Sequence, residues 1–337
     1  MNEPTPLANV VPPLTRSAQT SFGARKILSI VVLLAVIILI LVAALWYSGK
    51  HNATAKPLTG FAVALGHGPA RSMYGVDFKT NTFSLLDISD ANGTHYFALD
   101  ALTGAAQEDG YAYYILGAKN APTKETDLYT KGADGNLVAL THSNTFKYNL
   151  SVDTKEGLFA YEATAATSST AINTTKDWRI TIFSQQSKKE SVIAAGNNPV
   201  LLSGMHTVVY DRNQKLYSFN MQSQKEMQLF DIATGTQYAV DGVRNMLAVQ
   251  NPITKNIDFF DIVYGSSLSY EKSVPLVKAP DSLSFVNEAL IAAYFTPTKE
   301  ATTTYRFQSV GSLNSAVITA PPTYTYGDVL RTYPYHD

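Results

Sequence analysis

The sequence predicts an all-β protein: a β-propeller of about six four-stranded blades, preceded by a single transmembrane helix. Three observations carry this reading. One charge-free, almost wholly apolar run, Ile27–Trp46, stands near the start of the chain. Beyond Gly60 the chain becomes short runs of alternating aromatic and aliphatic residues, separated by Gly, Asn, Asp, Ser and Lys, which is the pattern of strands and turns. Those runs recur as a unit every 38 to 51 residues or so, the spacing of propeller blades.

Residues 1–24 hold prolines at 4, 6, 12 and 13 and no apolar period, so they read as a disordered cytoplasmic tail. The segment 25–48 reads as a membrane helix. Ile27–Trp46 contains one hydroxyl and no charge over 20 residues, and at about 1.5 Å per residue it matches a hydrocarbon core about 30 Å thick. Nine of these residues are Ile or Val, strand formers in water, but a lone segment in lipid must satisfy its own backbone and is therefore helical. Fifteen Leu, Ile or Val residues contribute up to about −5 to −9 kcal/mol of insertion free energy. Ile27, Leu34 and Ile40 lie along the anchor, and Trp46 and Tyr47 sit at its headgroup end. A cleaved signal peptide is the main rival. Ala53-Thr54-Ala55 has the small-x-small form, but the apolar run before it is longer than a signal peptide requires.

Arg16, Arg25 and Lys26 precede the helix, and Lys50 and Lys56 follow it. The positive-inside rule then places the N-terminus in the cytoplasm and the C-terminal domain outside the cytoplasmic membrane. Residues 49–60 form a polar linker with Pro57 and Gly60, and 61–337 form the ectodomain.

The whole chain of 337 residues carries a formal charge of −1. That balance excludes the concentrated basic face a nucleic-acid partner needs. Absence of cysteine removes disulfides, thiolate nucleophiles and thiolate metal sites together. Stability must come from the core, which suits a cell-envelope protein. Four Asn-x-Ser/Thr sequons, at Asn52, Asn92, Asn149 and Asn173, matter only in a glycosylating host.

Within the ectodomain the expected inner strands are 110–117, 157–163, 206–212, 245–251 and 288–295. Each is followed by an aromatic-rich strand, at 127–135, 178–186, 215–223, 257–265 and 304–312. A four-stranded blade has two apolar faces, and radial stacking covers both. A first unit at 61–66, 72–78 and 82–88 lacks an inner strand, and the stretch 322–335 is available to supply it. Ring closure by pairing the two chain ends follows.

Residues 127–162 carry Asp134-Gly135, Leu140-Thr141, Ser151-Val152-Asp153 and a hydrophobic strand ending in Tyr161. This pattern resembles the TolB-type, WD40-like β-propeller repeat. The resemblance implies an Asp-Gly turn at 134–135, a Ser-x-Asp turn at 151–153, and a rigid binding platform whose partners dock at the loop faces or the central channel. The other copies keep the hydrophobic pattern without the Ser-x-Asp-Gly turn.

No catalytic, cofactor or metal motif stands out. The histidines at 51, 67, 95, 142, 206 and 336 show neither HxH nor HExxH spacing. Asp87–Gly93 falls short of a calcium loop, because Leu99 stands where a bidentate Glu would close the site. Gly66-His67-Gly68 is a loop, and no G-x-S-x-G elbow occurs. Tyr324, Tyr326, Tyr333 and Tyr335 alternate with period two. They are candidate partner contacts, or else the packed face of the closing strand. The sequence therefore points to a non-catalytic protein-binding or scaffolding module of the envelope, needing no cofactor and binding an envelope protein or glycan. A channel-sited enzyme or binding protein for envelope glycans, and a sensor signalling through the tail, are the alternatives.

Overall fold

The computed structural model describes residues 36–38, 60–65, 72–77, 80, 82–102, 111–118, 126–132, 134–165, 168, 171–172, 176–286, 289–297, 303–311, 315–320 and 329–334. Two compact units divide the chain, 1–54 and 55–337. In the first, residues 36–38 are helical and exposed. No helix among the described residues is long and apolar enough to cross a membrane. Ile27, Leu34, Ile40, Trp46 and Tyr47, with Arg16, Arg25 and Lys26, lie outside the described residues.

The second unit is all-β. Its strands run β1 (Gly60–Leu65), β2 (Ser72–Asp77), β3 (Thr82–Leu85), β4 (Asp87–Ser89), β5 (His95–Leu102), β6 (Ala112–Ala118), β7 (Thr126–Lys131) and β8 (Leu137–Ala139). They continue with β9 (Phe146–Asp153), β10 (Leu158–Thr164), β11 (Arg179–Ser184), β12 (Lys189–Ala195), β13 (Asn197–Leu202), β14 (Thr207–Arg212), β15 (Lys215–Asn220) and β16 (Lys225–Asp231). The last are β17 (Tyr238–Asp241), β18 (Met246–Gln250), β19 (Ile257–Val263), β20 (Ser267–Val274), β21 (Ser282–Val286), β22 (Ala289–Pro297), β23 (Thr303–Ser309), β24 (Ser315–Ala320) and β25 (Val329–Pro334).

Among the described residues, five sheets have four strands each: β25-β1-β2-β3, β9 to β12, β13 to β16, β17 to β20, and β21 to β24. The count of regular four-stranded blades is thus five rather than about six. Strands β4 to β8 form a five-stranded sheet instead. The physical reason lies at its two margins. After β3 only Leu86 intervenes, its amide continuing the β2 ladder to Met73 O at 2.9 Å. The chain then pairs at once with β5 as the short strand β4. At the other margin β8 is cut to three residues.

Sheet pairing is antiparallel throughout, from β1 with β2 to β23 with β24. Strand β1 also pairs with β25, Phe61 opposite Pro334 and Val63 opposite Thr332. The C-terminal strand thus supplies the first strand of the N-terminal sheet, as the missing inner strand required. The strands β5, β9, β13, β17, β21 and β25 touch one another in that cyclic order and back to β5; each begins its sheet except β5, which follows the short marginal β4. The expected inner strands are therefore the ones paired next to these, β6, β10, β14, β18 and β22. They are flanked by ladders on both edges and stacked sheets on both faces, which makes them the most apolar. β10 and β18 are almost wholly buried, while the outermost β12 and β16 are mostly exposed or half-buried.

The core lies between sheets, and alternation assigns each side chain to one neighbour. From β10, Phe159 and Tyr161 pack with Tyr113, Ile115 and Leu128 of the preceding sheet. Ala160, between them in sequence, packs with Leu201, Val208 and Tyr210 of the following one. The same arrangement joins Val209 to Leu247 and Val249, and Ala248 and Phe259 to Leu283 and Ala292.

Candidate functional site

One edge of the stacked sheets is held by a chain of contacts between turns. Asp153, the last residue of β9, turns the chain into β10 by accepting the Lys155 amide at 3.2 Å through Oδ1. Its Oδ2 accepts the Gly204 amide of the next sheet at 3.1 Å. Two residues earlier, Ser151 Oγ accepts the Leu201 amide at 2.9 Å. The Glu156 carboxylate pairs with His206 Nδ1 across the same boundary. One sheet further on, the Ser203 amide donates to Gly242 O at 2.8 Å.

Asp241 repeats the role of Asp153. Its Oδ1 accepts the amides of Val243 at 2.9 Å and Arg244 at 3.1 Å, and its Oδ2 accepts Arg244 Nε at 2.6 Å. The Arg244 guanidinium then lies 5.4 Å from the Phe285 ring centroid in the following sheet. The sequence pattern does not single out this aspartate, although Val240-Asp241 parallels Val152-Asp153. Without the serine two residues before it, the turn passes unrecognised in the sequence.

Among the described residues of this edge, Val243, 73% exposed, and Tyr264, 87% exposed, are large apolar side chains that face solvent. Tyr264 belongs to the turn between β19 and β20, which packs on the same edge. A Cβ at the neighbouring Gly265 would stand 2.9 Å from Thr207 Oγ1 at the start of β14. Both side chains therefore project from turns whose backbones are fixed between sheets.

Other polar groups of the sheets are engaged with one another. Lys147, fully buried, donates to Thr126 O at 2.7 Å, Asp127 Oδ1 at 3.1 Å and Ser143 O at 3.2 Å. Tyr161 donates its hydroxyl to Glu190 Oε1 at 2.5 Å, and burial, with this bond and the Glu190 charge, pushes the phenol far above its ordinary value. Tyr210 repeats the motif on Glu226, which also takes both guanidinium nitrogens of Arg212, at 3.1 and 2.6 Å. Burial raises the Glu226 carboxyl, but the Arg212 and Tyr210 hydrogen bonds outweigh it, and the net direction is down. Glu162, buried, accepts the Asn149 side-chain amide and the Asn198 backbone amide. Asn198 in turn donates to Asp211, which also accepts the Tyr238 hydroxyl. The Lys147 and Glu162–Asn198 bonds join one sheet to the next, whereas the Tyr161–Glu190 and Tyr210–Glu226–Arg212 bonds tie strands within one sheet. Among the described residues no group of three or more His, Asp or Glu is placed to hold a metal ion.

Of the repeat residues that the sequence singles out, Ser151 and Asp153 bond the next sheet, while Asp134 and Gly135 stand in an exposed turn within one sheet. Asp134 caps the turn between β7 and β8 by accepting the Asn136 backbone amide at 3.1 Å and its side-chain amide at 2.8 Å, with Gly135 at φ 77°. Ser151 and Asp153 end β9 rather than forming the turn themselves, and Tyr161 is in the core. Tyr324, Tyr326 and Tyr335 lie outside the described residues. Tyr333 stands in β25 with its Cα opposite Ala62.

No protein-family model matches the sequence, and no curated protein matches it. Among solved structures, the chain is similar to TolB from Acinetobacter baumannii. Identity is 10% and the TM-score 0.51, over 86% of this chain and 70% of that one. The fold is a β-propeller. Similarity also extends to a chain of the nidogen/laminin complex, at 11% identity and a TM-score of 0.46, over 82% of this propeller chain and 97% of that chain. Oligogalacturonate lyase in complex with manganese is similar at 9% identity and a TM-score of 0.42, over 70% and 67% of the two chains.

Proposed function

We propose that this propeller is a non-catalytic protein-binding or scaffolding module of the cell envelope, tethered by one membrane helix with its N-terminus in the cytoplasm. The observation that carries the binding role is the edge where Val243 and Tyr264 stand exposed on turns locked between sheets. Apolar groups held rigidly in water lose little conformational entropy on docking, which favours a protein partner there. The tether rests on the composition of Ile27–Trp46 and the basic residues before it.

The test is a pull-down from gently solubilised membranes with the full chain and with a chain starting at residue 56, each beside Val243→Asp and Tyr264→Ser variants. A protein enriched by both chains and lost with both variants supports the role. Enrichment of glycan alone moves the reading to a ligand in the channel. The tether fails if the full chain fractionates as the shortened one does.

A further inference from the structure

The turn joining β4 to β5 presents an Asn-Gly pair, Asn92-Gly93, to solvent. Residues 91–95 are all exposed. Asp90 organises the turn, its Oδ1 accepting the amides of Asn92 at 2.9 Å and Thr94 at 2.8 Å. The Asp90 backbone carbonyl accepts the Gly93 amide at 3.1 Å. Gly93 stands at φ 76° with no atom within 4 Å of where a Cβ would lie, so no side chain crowds the peptide, and release of the single bond to the Asp90 carbonyl frees its nitrogen toward the side chain before it. Among the described residues the Asn92 side-chain amide has no hydrogen-bond partner, whereas that of the sequon residue Asn149 is buried and bonded to Glu162 and Asn198.

We propose that Asn92 is a self-modification site, at which the Gly93 backbone nitrogen converts the asparagine to aspartate and isoaspartate and thereby loosens β4 from β5. The nitrogen, once deprotonated, attacks Asn92 Cγ. The N–Cγ bond forms, the Cγ–Nδ2 bond breaks, and ammonia leaves, giving a five-membered succinimide. Water then opens the ring. Cleavage at Cγ yields aspartate, and cleavage at the main-chain carbonyl yields isoaspartate, whose backbone runs through the side-chain carbon. Water is the only co-reactant, and no electrons are transferred.

The consequence follows from how little holds β4. It is three residues long and pairs with β5 only through Asp87–Phe97, Ile88–Tyr96 and Ser89–His95. A backbone atom added between Asp90 and Thr94 disturbs the turn that sets this register, and a new carboxylate faces the Asp90 carboxylate. Ile88, buried against the Met73 and Leu116 cluster, and the Ser89 carbonyl, which accepts Lys131 Nζ at 2.9 Å, are the contacts that loosen.

The test incubates the full chain in detergent at mildly alkaline pH, folded and in urea. Peptide mass mapping and enzymatic methylation of isoaspartate are the readouts, with Asp90→Ala and Asn92→Gln alongside. Expected results are conversion at Asn92 ahead of other asparagines in the folded chain, severalfold faster conversion in Asp90→Ala, none at position 92 in Asn92→Gln, and faster amide exchange at 87–89 once converted. If the folded chain keeps Asn92 intact while the urea-unfolded chain converts it, the turn protects the residue and the proposal is wrong. Conversion without a change in exchange at 87–89 overturns the loosening of β4.

Discussion

Gly242 lies so close to Leu201 of the preceding sheet that a Cβ on it would stand 2.1 Å from the Leu201 carbonyl oxygen. Backbone meets backbone there, and no rotamer change relieves the contact. Gly242→Ala is expected to cost about 2–3 kcal/mol by forced displacement, read as a lowered denaturation midpoint with an unchanged slope. A midpoint equal to that of the parent chain would show that the two sheets slide apart freely.

The Ser151 hydroxyl accepts the Leu201 amide across the same boundary. Ser151→Ala leaves that amide without its acceptor, at a cost of about 1–3 kcal/mol. Faster amide exchange at Leu201 is the local signature that distinguishes this from a general loss of packing.

Glu226 makes a small contribution to the loss of stability at acid pH. Its carboxyl is held below the ordinary range in the folded chain: burial opposes ionisation, but Arg212 and Tyr210 prevail. A depressed folded value contributes stability that is present above the unfolded value, about 4.3, and that is lost as pH falls through the folded value. The group is mostly solvent-facing, so the effect is small. The stability difference between the parent and Glu226→Gln should shrink toward zero as pH is lowered below about 4.

At high pH the tyrosines take over. Burial pushes Tyr114 up to about 12 and Tyr161 and Tyr210 beyond it. A raised phenol contributes stability below its unfolded value of about 10, lost as pH rises through the folded one. An ultraviolet titration should show a group of tyrosines ionising only with unfolding. Smooth titration of all 20 near the ordinary value would contradict the packing.

Strand β25 closes the ring on β1. A chain ending at residue 328 should expose the inner edge of β1, lose its sharp thermal transition and associate through that edge.

What the sequence made legible was what burial makes apolar. The second and third strands, such as 157–163 and 178–186, announce themselves because β10 and β11 are covered on both faces. The first strands were overlooked for the opposite reason. β13 reads Asn-Asn-Pro-Val-Leu-Leu and β17 only Tyr-Ala-Val-Asp, too short and too polar to show a period. The role of Asp153 could be guessed from its turn, but its second bond, to Gly204, links residues from different repeats. Local pattern carries no record of such a bond. Val243 and Tyr264 were invisible for the same reason, since an exposed residue gains meaning only from what its turn leans on.

Pairing of β25 with β1 also sets an order of events in biosynthesis. A ribosome releases residues 329–334 only after the other strands of the propeller have been made, so the N-terminal sheet waits, one strand short, for β25 to emerge. Pairing the two ends spans nearly the full domain, the slowest kind of contact to form. The ring therefore cannot lock around a partial chain. A prematurely ended product keeps an open edge that marks it as incomplete.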